Sequence, residues 1–451
     1  MHMEILGIIG IFIAIIAIIW MSVKGMHIAV AAPLATLIVI LTSRMNIFEF
    51  MVGKEHSYMT GLAGFLINNF AIFLLGAVLA QYIEKSNATL SIANFVLKLV
   101  GRDNPFYVML AFALIAAILT YGGVSLYVVM FALIPLAKPI FKELDVSWKL
   151  LPIPLFLGMA TVTMSMLPGA PSVQNAVPTS VIGTTLTAAP LLSLIGAAAA
   201  LAYGVLYLYL QLKASKAKGE GFYSYSAGEA ERQADELSSK QEVQIDETKL
   251  PSILLSVLPL VTLIIIIMLF SKVDHIILIA LTVAIVMSSI IFRPYIKEQM
   301  PLLNAGANGS IGSAFATSSS VAFGSVLTAS PAFAIIQHAI TSIPGSPLIG
   351  LSVAAALLSA VTGSASGSLG IVMNSIAGDY IANGLNPELV HRIAVVAAAV
   401  TTSMPHSGVN ITYNNLAGTT IKDGFIHQVF IVGGCHLVAL IVMILVSNIL
   451  Y

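Results

Sequence analysis

Met166-Leu167-Pro168-Gly169-Ala170-Pro171-Ser172, followed by Asn175 and Gly183-Thr184-Thr185, breaks one apolar run of this chain. Met404-Pro405-His406-Ser407-Gly408, followed by Asn410 and Gly418-Thr419-Thr420, breaks another in the same order. Upstream of each lies a further interruption: Thr120-Tyr121-Gly122-Gly123-Val124-Ser125-Leu126 in the first case, Thr362-Gly363-Ser364-Ala365-Ser366-Gly367-Ser368-Leu369 in the second. Further upstream again, Gly76-Ala77-Val78-Leu79 with Ser86-Asn87-Ala88 is echoed by Gly324-Ser325-Val326-Leu327 with Ser330-Pro331-Ala332. Relative to alanine, a proline inside a helix costs about 3 kcal/mol and a glycine about 1 kcal/mol. Their return at matched places therefore marks duplicated breaks, the pattern of a secondary transporter whose binding site lies where two repeats meet.

The breaks sit in a chain that is 58% apolar and 9% charged, with a mean hydropathy of +0.97. That much apolar surface needs a bilayer as solvent, and a helix needs about 20 apolar residues to cross it. Apolar stretches of that kind recur from 4–22 to 427–450, and several, such as 106–134, 310–340 and 348–382, are long enough to hold two half-spans. The expectation is an all-α polytopic membrane protein with about 10–14 membrane segments, in two repeats with broken helices or re-entrant hairpins. Whether the repeats are inverted depends on the parity of spans between them, which residues alone do not give. The first apolar stretch runs into Val23-Lys24-Gly25 with no small-residue cleavage site, and reads as a retained helix.

The chain divides into N-terminal membrane helices (1–59), repeat one (60–212), a hydrophilic linker (213–250), linking helices (251–307), repeat two (308–425) and a C-terminal membrane helix (426–451). The linker is rich in Lys, Glu, Asp, Ser and Gln, so it reads as a solvated connector, with a short helix over 227–241 supported by i,i+4 charge pairs.

Composition also excludes function classes. A net charge of zero argues against a nucleic-acid partner. The single Cys435 rules out an internal disulfide and a cysteine metal cluster. There is no phosphate-binding Gly-x-x-x-x-Gly-Lys-Ser/Thr loop and no His-Glu-x-x-His motif, so neither ATP-driven transport nor metalloprotease chemistry is expected. Ser407 beside His406 lacks an acidic orienter for a hydrolase. We expect no enzyme, no cofactor and no bound metal, with protons or sodium as the coupling ion.

At mid-membrane, non-helical backbone survives only where protein or a water-filled cavity surrounds it. A helix that restarts there offers unpaired N–H groups and the positive end of its dipole to an anion. The broken-helix positions are Gly122, Gly123, Pro168, Gly363, Gly367 and Pro405, and the flanking substrate-binding candidates are Ser125, Ser172, Asn175, Ser364, Ser366, Ser407 and Asn410. The competing role for such small residues is close helix packing, but packing does not call for Pro and Asn at matched places in two halves. Ionisable residues inside apolar segments are Lys138, His338, Asp379 and His406. His406, between Pro405 and Gly408, is the proton-coupling candidate, since histidine titrates near physiological pH. Asp379, His391 and Arg392 flank Gly384-Leu385-Asn386-Pro387 and read as interfacial or loop contacts.

The second repeat resembles the gluconate permease (GntP) family of the ion transporter superfamily. Thr328-Ala329-Ser330-Pro331-Ala332-Phe333, the 363–371 run, Gly384-Leu385-Asn386-Pro387-Glu388 with His391-Arg392, and Ser403 to Gly408 carry the likeness. The branch it is most similar to comprises D-3-hydroxybutyrate and short organic-acid permeases. The resemblance implies inverted repeats and symport of a small hydroxylated monocarboxylate, D-3-hydroxybutyrate or gluconate, with protons or sodium across the bacterial inner membrane. It adds Ser330 to the binding set. The expected partners are that organic acid anion and the lipid bilayer, with a homodimer as the candidate assembly. The alternatives are a sodium/proton antiporter, for which only Asp379 offers an intramembrane carboxylate, and a di- or tricarboxylate (citrate-type) carrier.

Overall fold

The computed structural model describes residues 2–24, 26–100, 104–124, 126–237, 250–270, 273–341, 346–405 and 407–451, and among them it is entirely helical. The first half runs α1 (His2–Val23), α2 (Ile28–Thr42), α3 (Ile47–Val52), α4 (Tyr58–Lys85), α5 (Ala88–Val100), α6 (Pro105–Tyr121), α7 (Leu126–Glu143), α8 (Pro152–Met159), α9 (Val162–Ser165), α10 (Val173–Ile182) and α11 (Pro190–Ala217). The linker carries α12 (Gly228–Leu237). The second half runs α13 (Ile253–Leu269), α14 (Ile276–Ile291), α15 (Gln299–Ala329), α16 (Pro331–Thr341), α17 (Pro347–Thr362), α18 (Ala365–Ser375), α19 (Ala377–Ala382), α20 (Pro387–Val400), α21 (Gly408–Ala417), α22 (Phe425–Gln428) and α23 (Gly434–Leu450). Four described helical stretches are long and apolar enough to cross a bilayer, Tyr58–Lys85, Trp148–Ser165, Pro190–Ala217 and Phe425–Ser447, and six shorter apolar helices accompany them. Large side chains such as Ile67 (82% exposed) and Ile449 (82%) face outward from these helices, which only an apolar solvent tolerates over so many positions.

Start and stop signals place the helices. Asn104 caps α6 and Ser346 caps α17, each followed by proline at the first helical position, and the same arrangement of Asn386 and Pro387 opens α20. Gly183 and Gly418 end α10 and α21 in the left-handed region, at φ +68° and +64°, where a Cβ is costly. The long apolar stretches do hold two helices each: α6 stops at Gly122-Gly123 before α7, α15 stops at Ser330 before α16, and α17 stops at Gly363 before α18.

The packing repeats itself when the halves are exchanged. The long helices α4 and α15 pack along each other, as do α11 and α23. Around them α2 lies on α15 as α14 lies on α4, α1 on α16 as α13 on α5, and α6 on α8 as α17 on α20. The short broken-helix segments cross over: α10 of the first half packs on α18 of the second, and α21 of the second on α7 of the first. Each half thus completes the other's interrupted region.

The linker departs from the expected solvated connector over 213–237. Phe222 is buried against Trp148 at 5.6 Å between centroids, and its N–H donates to Asp145. Lys138, read in sequence as intramembrane, instead reaches Glu231 of α12 at 2.9 Å, so that its charge is paired at the end of α7 and not stranded in hydrocarbon. Ser226 donates through both N–H and Oγ to Asp423, each at 2.7 Å, while the N–H and Oγ1 of Thr420 fill the other carboxylate oxygen. Burial pushes the Asp423 carboxyl up, but these four donors outweigh it and hold the group below the usual carboxylate range. The stability this contributes is complete above the ordinary carboxylate pKa and lost as pH falls through the lowered one. Accordingly, Asp423→Ala is expected to release the linker, so that limited proteolysis cuts within 226–237 at neutral pH. Wild-type protein should become comparably sensitive only in strong acid. Unchanged cleavage of the variant would dismiss the clamp.

Candidate functional site

The two breaks of each half are tied to each other. In the first half Thr120 Oγ1 donates to Thr163 Oγ1 at 2.9 Å, and the Tyr121 hydroxyl donates to the Pro168 carbonyl at 2.9 Å. In the second, the N–H of Ala365 donates to Thr402 Oγ1 at 3.1 Å. The interruptions are distant in sequence but form one irregular region per half.

At the start of α10 the region is closed. Ser172 is buried, accepts from the N–H of Asn175 at 3.2 Å and donates to the Met164 carbonyl. Asn175 is fully buried and has no donor left for a substrate: its amide donates to the carbonyls of Ala170 (2.9 Å) and Leu186 (2.8 Å), and its Oδ1 meets His391 Nε2 at 3.1 Å. Because both amide hydrogens are committed, the ring proton of His391 belongs on Nε2, which leaves Nδ1 to accept from Thr184 Oγ1 at 2.7 Å.

The start of α21 differs. Ser407 is buried but makes no capping bond with its side chain, and Gly408, the first helical residue, is exposed. Among the described residues the first N–H groups of α21 therefore lack the side-chain acceptor that α10 has. Asn410 is buried and donates to the Met404 carbonyl at 3.0 Å, bracing the break from within. At the start of α18, Ser364 caps the N–H of Gly367 and lies 3.2 Å from Ser366, Oγ to Oγ, with both residues half-exposed. Ser330 is buried and occupied by its own turn, donating to Leu327 and accepting from Phe333. Gly122 packs its Cα against Leu260, and Gly367 against Ser320, so these breaks are also close-packing points. Ser125 and His406 lie outside the described residues, as does the side chain of His338. Asp379 is exposed. Among the described residues no three His, Cys, Asp or Glu side chains are grouped to hold a metal ion.

His391 and Arg392, read in sequence as interfacial, are fully buried. Arg392 donates to the carbonyls of Ser165 (2.7 Å), Ala188 (3.2 Å) and Leu186 (3.3 Å), and Glu388 accepts from the N–H of Ala189 at 3.0 Å. Helix α20 thus grips the irregular backbone around α10 with three side chains. Ser165 extends the network to His436 at 2.7 Å, whose Nδ1–H donates to Val432. The available signal was the run from Leu389 to Ala399, apolar on every side but for this pair: such a helix is buried, so an arginine in its second turn is interior. In the first half the corresponding grip on α21 is aromatic, with Phe156 against Tyr413 at 5.5 Å and Trp148 Nε1 donating to the Ala417 carbonyl at 3.0 Å.

No protein-family model matches the chain. It is 29% identical, over 92% of its length and 93% of the relative's, to a protein of Bacillus subtilis (strain 168) described as the uncharacterized transporter YxjC. Among solved structures it is similar to the crystal structure of the Alcanivorax borkumensis YdaH transporter, at a TM-score of 0.54 and 13% identity over 87% of this chain and 86% of that one. The fold is shared with a transporter, and the sequence relationship to another runs nearly end to end. This chain is a polytopic membrane transporter, not an enzyme.

Proposed function

We propose that this transporter is a secondary active carrier of the bacterial inner membrane, taking up a small organic monocarboxylate such as D-3-hydroxybutyrate or gluconate together with protons. The observation that carries the reading is the start of α21, where an exposed Gly408 and an uncapping Ser407 leave helix N–H groups open, at a break joined through Ala365 and Thr402 to the paired Ser364 and Ser366 hydroxyls. Open N–H groups and a positive dipole end favour a carboxylate, and the two serines suit a substrate hydroxyl. Arg392 is committed to carbonyls, so it does not supply the second positive group that a dicarboxylate would use, and this supports a monocarboxylate. The resemblance to the gluconate permease family supports the same class. The crossed packing of α10 with α18 and α21 with α7 favours alternating access through motion of the broken segments against the flanking helices. His406 is our candidate for the coupling proton.

Uptake of labelled D-3-hydroxybutyrate into proteoliposomes under an imposed proton gradient tests this reading, with gluconate, lactate and citrate as competitors. Accumulation that a protonophore abolishes is the expected result. Sodium-dependent proton flux without uptake of any acid would assign the antiporter instead. Ser366→Ala removes one hydrogen bond to a charged or hydroxylated ligand, worth about 1.5 kcal/mol, and should raise the apparent substrate constant about tenfold. His406→Ala should abolish proton-driven accumulation while substrate exchange persists, and retained accumulation would overturn its role.

A further inference from the structure

A cavity of about 440 Å³ lies between the end of α11, the turn at Lys149 and the segment that enters α22. Three lysines, Lys149, Lys218 and Lys422, line it, and among the described residues none of them is paired with a carboxylate, although Glu220 and Asp423 line the same cavity. Asp423 is unavailable because both of its oxygens are filled by Ser226 and Thr420. The cavity therefore keeps an excess of positive charge with donors free. Its rim has the opposite character: Ile426 (55% exposed) and Phe430 (48%) project outward at the start of the Phe425–Ser447 span, where the bilayer begins. A ligand that fits both is an anion carrying acyl chains.

We infer that this cavity binds the headgroup of an anionic phospholipid, with the phosphate against Lys149, Lys218 and Lys422 and the acyl chains running past Ile426 and Phe430. Basic pockets between membrane helices recognise such headgroups, and lysines near the surface contribute roughly equal increments, about fivefold in affinity each. The shared chemistry, a phosphate ester, also exists in soluble form, and the apolar rim is what favours the lipid.

Native mass spectrometry of the full-length protein with added phosphatidylglycerol or phosphatidylcholine tests the proposal. Wild-type protein should retain a phosphatidylglycerol adduct and not a phosphatidylcholine one. Lys149→Gln should weaken the adduct about fivefold and the triple Lys149→Gln/Lys218→Gln/Lys422→Gln variant about a hundredfold, with Lys54→Gln unchanged as a control for general charge loss. Equal retention by the triple variant would overturn the site. Displacement of the adduct by millimolar inorganic phosphate, or equal binding of a water-soluble short-chain phosphatidylglycerol, would overturn the lipid as its ligand. An unaltered melting temperature of the triple variant in detergent separates lost binding from lost fold.

Discussion

Replacing Arg392 with methionine is expected to destabilise the folded chain by about 1–3 kcal/mol, the cost of leaving a buried backbone carbonyl without its donor. Two effects oppose each other. Removing the guanidinium relieves the penalty of keeping a cation out of water, but its partners are backbone carbonyls of Ser165, Leu186 and Ala188, which no side-chain substitution removes. Each carbonyl left unsatisfied in the interior costs about 1–3 kcal/mol. Leu186 still accepts from Asn175 and Gly169, and Ala188 from the Ser193 hydroxyl, so Ser165 bears most of the loss. The released loop around α10 should also reduce transport. Thermal unfolding in detergent checks the first effect and proteoliposome uptake the second. Arg392→Lys, which keeps the charge but has a single ammonium in place of the planar fork, should fall between. A methionine variant that melts like wild type would show that the carbonyls find other donors.

The second large effect concerns Gly158, where α8 crosses α6. A Cβ there would stand 2.0 Å from the carbonyl oxygen of Ala113 and 2.7 Å from the Ala116 Cβ. Backbone cannot swing aside as a flexible side-chain tip can, so Gly158→Ala must part the two helices, at the upper end of the about 1–3 kcal/mol typical of overpacking. The same displacement pulls at Thr163, which donates to the Gly158 carbonyl and accepts from Thr120, and so loosens the tie between the two breaks of the first half. Gly378 of α19 is the counter-case: nothing lies within 4 Å of the place its Cβ would occupy. Gly378→Ala should therefore leave stability unchanged or raise it by about 0.5–1 kcal/mol. Opposite signs for the two glycine substitutions in one melting assay are expected; a stable, active Gly158→Ala protein would show that the crossing has slack.

Much of the architecture was legible in the residues because helix breakers act locally. Pro168, Pro405, Gly183 and Gly418 interrupt or end their helices for reasons contained within a few positions, and their order reveals duplication without any knowledge of contacts. The bilayer as solvent follows from composition alone. Less legible was where a polar side chain points. Asn175 and Asn410 look alike in sequence as ligands for a substrate, yet both spend their amides on the backbone of their own break. Lys138 looked intramembrane until Glu231 was brought to it from the linker, across a distance in sequence that no periodicity reports.

By itself, then, the sequence determined a helical, duplicated, bilayer-embedded chain with paired breaks, because propensity, capping and hydropathy are properties of short segments. Only the tertiary structure decided which break is open. The start of α10 is sealed by Ser172 and gripped by His391 and Arg392 from the other half, whereas α21 is held by the aromatic contacts of Phe156 and Trp148 and leaves Gly408 exposed. The two starts share Ser and Asn at matched positions, so the difference arises from what each crossing packs against, and that is a property of the assembled halves.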